Sequence, residues 1–412
     1  MTFPTFLTTH GQNIVTSDGK PVILKGVNLG GWLMMEGYIL HSPNLAEQIF
    51  KKNFASALGK RTLKDFEKDF RGHFIQESDF KKIAGFGFNC IRLPFNGRLI
   101  EQLPYQYDAD GIKYLDQAVA WAKKYKIWLI LDLHAARGAQ NHDWHSDSLG
   151  KALLWEKKEF RARTFKLWEF LADRYKEEPT IAGYDLLNEP VLDDTQLLNA
   201  FYKELIQAIR RVDRRHILFV EGNRWAQDIE CLDNFSDDNL AFSVHTYVPL
   251  EFTFNFIPHL HYPLKTKTNS WGKKDLRKLL SGYSALAQKK QRPVLVGEFG
   301  VNDREGLYGE DQWVKDIVSC FKEFGFHWTY WTYKAIKNNV FPDGLLSYME
   351  NPPWVNRAGP AMGWDTYSAL WPEKRRDIVE SWKTENFAEN SSILKVLKHA
   401  ANQNHQFPKS SS

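Results

Sequence analysis

Two glutamates in this chain are framed in a way that suits acid–base and nucleophilic work. Glu189 closes the segment Leu186-Leu187-Asn188-Glu189 ahead of Pro190, and Glu298 closes the apolar run that begins at Val294. Gly297 and Gly300 leave the second carboxylate uncrowded. One Glu taken alone is usually solvated or salt-bridged. Two, each presented by an apolar run, suit cleavage of a glycosidic bond, which needs one neutral acid and one ionised nucleophile or base. Other apolar runs also end in polar groups: Asn28, Arg92, His134, Asn188, Glu221, His245 with Tyr247, and Trp331 with Lys334. Arg92 carries a permanent charge and would favour ionised Glu298, and Tyr247 would hydrogen-bond the same carboxylate. Glu189, less exposed to positive charge, would keep its proton as the acid. Asn188 would reach the hydroxyl next to the anomeric carbon, a contact that strengthens in the transition state.

The elements that must position these groups are short, buried-looking runs. Eight are legible, at 21–29, 89–95, 128–134, 181–189, 216–222, 240–247, 293–300 and 327–334. They lack the clean alternation of half-exposed strands, as strands of a parallel sheet covered on both faces do. Helical periodicity lies between most of them, at 114–126, 165–176, 197–212, 276–290 and 311–325. Alternating strand and helix imply a parallel sheet, and eight repeats close naturally into a barrel. The expected fold is α/β, a single (β/α)8 TIM barrel in which 1–412 form one catalytic domain. An open doubly wound sheet would carry a Gly-rich phosphate turn after its first strand, and the segment from Gly26 to Trp32 has the wrong spacing for one.

Several connections are long: 30–76, 135–160, 248–275 and 335–385. In a barrel these loops gather at the C-terminal face, where catalysis occurs. They carry Trp32, Tyr38, Trp144, Phe252, Phe254, Phe256, Tyr262, Trp271, Trp354 and Trp364. Aromatics make up 14% of the chain, with 15 Trp, enough to wall a carbohydrate site as well as fill a core.

The remaining candidates divide by the chemistry they could carry. His142, Asp143 and His145 could hold a metal, but the reaction needs none, and loop hydrogen bonds or sugar contacts are the reading adopted; His259 and His261 are read the same way. Glu221 reads as a structural carboxylate paired with basic side chains. Lys334 stands open between the pocket and elsewhere. Residues 60–70 form a charged amphipathic helix, read as a solvated face. The charge of +4, from 54 basic and 50 acidic residues, is too balanced for a nucleic-acid or anionic-membrane partner. The Cys count is 3, odd and without a Cys-x-x-Cys, which argues against disulfides and a Cys-based zinc site; Cys90 reads as a buried thiol. No cofactor or metal is expected. No membrane span is legible, and the start of the chain lacks the basic and apolar regions of a signal peptide, so a cytoplasmic monomer is expected unless a leader has been removed.

Taken together, these segments resemble glycoside hydrolase family 5, the retaining barrel enzymes with glutamates on strands four and seven. The resemblance rests on the motifs at 91–95, 131–134, 186–190, 245–247, 296–300 and 330–334, in the family's order, and the segment 25–32 extends it. It implies Glu189 as acid/base and Glu298 as nucleophile. It also implies Arg92, His134, Asn188, His245, Tyr247 and Trp331 as substrate-site residues, with Trp331 as the floor under the sugar. Within the family the segments 25–37 and 131–141 look like the exo-β-1,3-glucanase branch. That implies Glu36 as a contact to the terminal sugar and Asn141 as another. The expected activity is therefore a β-glucosidase or exo-β-glucanase working by double displacement. The alternatives are an open-cleft endo-β-glucanase, a glycolipid or steryl glucosidase served by the apolar stretch 248–264, and a barrel that only binds carbohydrate.

Overall fold

The computed structural model describes residues 3–40, 42–265, 270–336, 340–347 and 364–403. Eight parallel strands close into a barrel: β1 (Lys25–Asn28), β2 (Cys90–Asn96), β3 (Trp128–Ala135), β4 (Ile181–Asp185), β5 (Ile217–Glu221), β6 (Leu240–His245), β7 (Val294–Phe299) and β8 (His327–Tyr330). Each pairs with its neighbours in sequence, and β8 pairs with β1 to complete the ring. Every residue of these strands is buried, which is why the sequence shows runs rather than alternation.

Several of the eight runs are shorter than their sequence suggests, 327–334 among them, of which only His327–Tyr330 is barrel strand. In 21–29, Pro21–Val22 belongs to a separate antiparallel sheet with Leu7–His10 and Asn13–Thr16, and only Lys25–Asn28 enters the barrel. That small sheet packs Leu7, Ile14 and Val22 against Trp128, Ile217 and Leu295 at the strands' N-terminal ends, closing the bottom of the barrel. In 181–189 the regular ladder ends at Asp185. The chain then continues irregularly to Glu189, with the Leu186 N–H donating to Phe219 O and the Asn188 N–H to Leu133 O.

Helices α1 (Glu47–Leu58), α2 (Lys60–His73), α3 (Glu77–Gly85), α4 (Ala109–Tyr125), α5 (Lys158–Tyr175), α6 (Thr195–Arg210), α7 (Lys273–Lys290), α8 (Glu310–Phe324), α9 (Trp364–Ser381) and α10 (Ser391–Asn402) cover the outside. Helix α4 shows how the sequence dictates them. Asp108 caps its first turn by accepting from the Asp110 N–H, and Ile112, Leu115, Val119 and Ala122 form the stripe laid on the barrel.

Helix α2 corrects the reading of 60–70 as a solvated face. Its lysines do face water, but Phe66 and Phe70 are fully buried. Phe66 packs against Phe54 of α1, Trp371 of α9 and Trp382, at ring separations of 4.8, 5.1 and 5.6 Å. The long excursion after β1 thus joins the main hydrophobic core through these rings. Cys90 is buried as expected, and Cys231 and Cys320 are also free thiols. No helix among the described residues is long and apolar enough to cross a membrane.

Phe66→Ala should cost about 3–5 kcal/mol, the usual range for deleting a fully buried ring. Urea unfolding followed by tryptophan fluorescence measures it; a change within about 0.5 kcal/mol, as at a solvated face, would restore the sequence reading of α2.

Candidate active site

The strand ends converge on a guanidinium. Arg92 leaves β2 with no solvent exposure. Its Nε donates to Asp185 at 2.9 Å, Nη1 to Glu298 at 2.8 Å and Nη2 to Glu221 at 3.0 Å, while Asp132 stands 3.2 Å from Nη2. Asn28 and Asn188 accept the remaining N–H bonds at 3.2 and 2.9 Å. Four carboxylates share one cation, so the cluster is over-supplied with negative charge. Burial and neighbouring Glu221 push Asp185 well above the carboxylate range, against the pull of Arg92.

Glu298 is thereby fixed from below by Arg92, and the Tyr247 hydroxyl donates to its other oxygen at 2.7 Å, as the sequence suggested. The ladder is irregular beside both groups, with register shifts between Val244 and His245 and between Val296 and Phe299. Gly297 is required here, because a Cβ at that position would lie 3.0 Å from His245 Nε2 and 2.9 Å from Ser243 Oγ.

Glu189 faces Glu298 across the site. Oxygens of the two carboxyl groups and a nitrogen of His245 lie within 4.8 Å of one another. The glutamate sits at φ 49, in the left-handed region that non-glycine residues rarely adopt. Its N–H donates to Glu221 Oε2 at 2.5 Å and its carbonyl accepts from Asn141 Nδ2 at 2.9 Å, so both backbone groups are tied to buried partners.

The electrostatic expectation for Glu189 is reversed. His245 Nδ1 lies 2.7 Å from its Oε1 and His145 Nε2 3.5 Å from its Oε2. Burial alone would raise its pKa, but the bond to His245 and the charges of His245, His145 and His134 outweigh it and hold the carboxyl well below its usual range. His245 is pushed the other way. Burial opposes its charge, but Glu221, Glu298 and Glu189 on three sides keep it cationic far above the usual imidazole range. Glu189 is thus lowered and His245 raised across one short hydrogen bond. Sequence reasoning missed this because the histidines are remote in the chain.

A cavity of about 470 Å3 opens over the pair. Of the residues expected to touch substrate, Glu36, His134, His245, Tyr247 and Trp331 line it. Arg92, Asn141 and Asn188 do not: all three are fully buried beneath it, and their polar atoms hold Glu298, Glu189 and one another in place. Asn188 Nδ2 nevertheless has no hydrogen-bond partner among the described residues. Glu221 is structural, as read. Lys334 turns away, donating to Phe74 O, Trp382 O and Thr384 Oγ1 behind the barrel. The cavity also takes in Tyr38, Asp143, Trp144, His145, Trp225 and Leu250. Of these, Trp225 was not anticipated; its only signal was an aromatic four residues beyond the end of β5. Of the other loop aromatics, Phe254 reaches the wall, Trp32 stacks on Trp121 in the core, and Trp354 lies outside the described residues.

One end of the cavity is buried. His134 stacks on Trp331 at 5.3 Å, with 10° between the rings, and its Nδ1 meets Asp132 at 2.8 Å. Glu36 stands 3.7 Å from His134 Nε2, and its Oε1 has no hydrogen-bond partner among the described residues. Burial and the charges of Glu298, Glu189 and Asp132 push Glu36 well above the carboxylate range, so it is a neutral acid facing the cavity. The other end is exposed, bounded by Trp225, Gln227 and Leu250. There Asp143 accepts from Trp225 Nε1 at 2.8 Å, while His259 pairs with Tyr308 away from the site. Among the described residues, two groups have ligand atoms close enough to hold a metal ion, Glu189 with His245 and Glu298, and Asp132 with Asp185 and Glu221. The second is already bridged by the Arg92 guanidinium.

Residues 52–337 match the family model for cellulase, glycosyl hydrolase family 5. The chain belongs to that family. A beta-xylosidase of Phanerodontia chrysosporium is 29% identical over 422 residues, covering 97% of this chain and 84% of the relative. Endoglucanase C of Acetivibrio thermocellus is 27% identical over 349 residues, covering 77% and 92%. In fold, the Cel5A endoglucanase of Thermotoga maritima superposes with a TM-score of 0.61 at 20% identity, covering 91% of this chain and 96% of that one. The protein is a family 5 retaining glycoside hydrolase of β-linked substrates, and the close approach of the two carboxyl groups suits retention, since inversion needs them about 6.5–9.5 Å apart.

Arg92→Met should destabilise the enzyme by about 3–5 kcal/mol, because it strands buried carboxylates without their cation. Urea titration of the two proteins checks it; a loss within about 0.5 kcal/mol would show that the carboxylates do not depend on Arg92.

Proposed function

We propose that this enzyme is an exo-acting β-glucosidase that removes one sugar at a time by double displacement. The observation that carries the reading is the cavity's asymmetry. Its far end is closed by Glu36, His134 and Trp331, all nearly devoid of exposure, whereas its mouth is bounded by exposed Trp225 and Leu250. A terminal sugar fits the closed end, with neutral Glu36 able to donate to a hydroxyl and Trp331 forming an apolar floor. An open-cleft endoglucanase would instead need both ends free.

In this reading Glu298 attacks the anomeric carbon. Arg92 and Tyr247 bind one oxygen each and keep it aimed. As its charge is consumed, His245, 3.6 Å from Glu298 Oε2, loses one of the anions that stabilise its cationic form. The proton then moves along the 2.7 Å bond to Glu189 and on to the leaving oxygen. Glu189, the more exposed of the two carboxylates, lies towards the mouth through which the aglycone departs. In the second half, ionised Glu189 deprotonates the water that hydrolyses the glycosyl-enzyme, with return of the proton to His245.

Incubation with β-linked gluco-oligosaccharides should release only monosaccharide from the outset, as read by chromatography. Early release of longer products would favour the endoglucanase reading. Glu189→Gln should lower kcat by about 10²–10⁴-fold on alkyl glucosides, which need a proton, and far less on dinitrophenyl glucoside, which does not. Glu298→Gln should abolish both reactions. Equal losses on the two substrates for Glu189→Gln would remove it from the acid role.

A pH profile tests the location of the proton. The alkaline limb of kcat/KM on alkyl glucosides should lie above the ordinary imidazole value of about 6.5, since His245 is raised. Glu221→Gln removes the anion that does most to raise it, so the limb should move to lower pH. An unmoved limb would mean that His245 does not hold the catalytic proton.

A further inference from the structure

The mouth of the cavity carries an apolar collar that cleavage at the closed end does not use. Val248, Leu250 and Phe254 belong to the cavity wall, and Phe256 and Ile257 follow in the same loop as exposed residues outside that lining. Leu250 is 40% exposed, Phe256 51% and Ile257 50%. The surface is continuous with the catalytic centre: Phe254 packs on Tyr247 at 5.1 Å, and Phe256 on Phe254 at 5.4 Å and on Phe341 at 5.9 Å. Exposed apolar patches of this kind mark binding sites more often than chance surface.

The loop is held rather than loose. The Phe254 N–H donates to Leu250 O and the Ile257 N–H to Glu251 O, at 2.9 and 3.2 Å. Arg304 donates to Phe252 O and Asn255 Oδ1, Trp313 Nε1 donates to Val248 O, and the Phe341 N–H donates to Phe254 O. These bonds occupy backbone groups that a sugar's hydroxyls would otherwise use. Leu250 and Ile257 are also branched aliphatics without the flat face on which a pyranose stacks. The collar therefore offers dispersion and burial but few hydrogen bonds.

We propose that this collar is the aglycone site for an amphiphilic β-glycoside, receiving an alkyl chain that leaves the cavity past Leu250 and lies across Phe256 and Ile257. The proposal rests on the reading above that a single sugar occupies the closed end. It makes the natural substrate a sugar joined to a hydrocarbon tail rather than to a second sugar.

The test is calorimetric titration with n-alkyl 1-thio-β-glucosides from methyl to octyl, below their micellar concentrations. A fully buried methylene gives about fourfold in affinity, and a chain lying on a surface buries about half of each, so Kd should fall by roughly twofold per methylene. The double variant Phe256→Ser/Ile257→Ser should lose most of that slope, and Phe256→Leu/Ile257→Val, which keeps the surface apolar, should retain it. A flat series in the wild type, a slope that survives the serine variant, tighter binding of a thio-cellobioside than of the octyl compound, or no binding at all would each overturn the proposal. Hydrolysis of aryl β-glucoside is measured alongside. A slope without hydrolysis would sink the glucosidase reading and leave the collar, and hydrolysis with a flat series would do the reverse.

Discussion

The site depends on one buried cation. Arg92 reaches Asp132, Asp185, Glu221 and Glu298, which come from β3, β4, β5 and β7. An isolated guanidinium in the barrel's interior would be prohibitively costly to desolvate, and so would the carboxylates without it. The charges are tolerated only together. The barrel's closure and the aim of Glu298 are therefore coupled: strands that failed to meet would leave the cluster unpaired, and the cluster in turn ties non-adjacent strands across the interior. The resulting excess of acid also sets the protonation states above it, since Glu221 and Glu298 make His245 cationic and Glu189 adds to the same pull.

That coupling accounts for features that look unfavourable singly. Glu189 keeps a left-handed backbone because Glu221 and Asn141 bind its N–H and carbonyl. Strain stored in this way needs surroundings that over-determine it, and Glu221 provides them while already anchored to Arg92. Glu36 is raised first by its burial and then by the charges of Glu298, Glu189 and Asp132. The floor of the site is thus rigid and charged, and its mouth is apolar.

Much of the fold was legible because buried parallel strands leave runs of apolar residues, and all eight were found. Their ends were blurred where the chain stays buried without staying regular, as at 186–189 and 21–24. Glu189 and Glu298 stood out because their positions contrast with what precedes them. Depth was not legible. Arg92, Asn141 and Asn188 have the chemistry of ligand contacts but lie one layer below the cavity, and Lys334 is carried outward as the chain leaves β8. The charge around Glu189 was hidden for another reason: His245 is 56 residues away in sequence, and only barrel closure brings it within 2.7 Å. Trp225 sits in a loop without periodicity, so no pattern announced it.

The most direct measurement is covalent trapping of the intermediate. A 2-deoxy-2-fluoro-β-glucoside with a good leaving group slows both steps but should allow attack while blocking hydrolysis. Peptide mass spectrometry should then find the fluoroglucosyl group on Glu298 alone, with inactivation following the same time course. A label on any other residue, or turnover with inverted product and no adduct, would contradict the account.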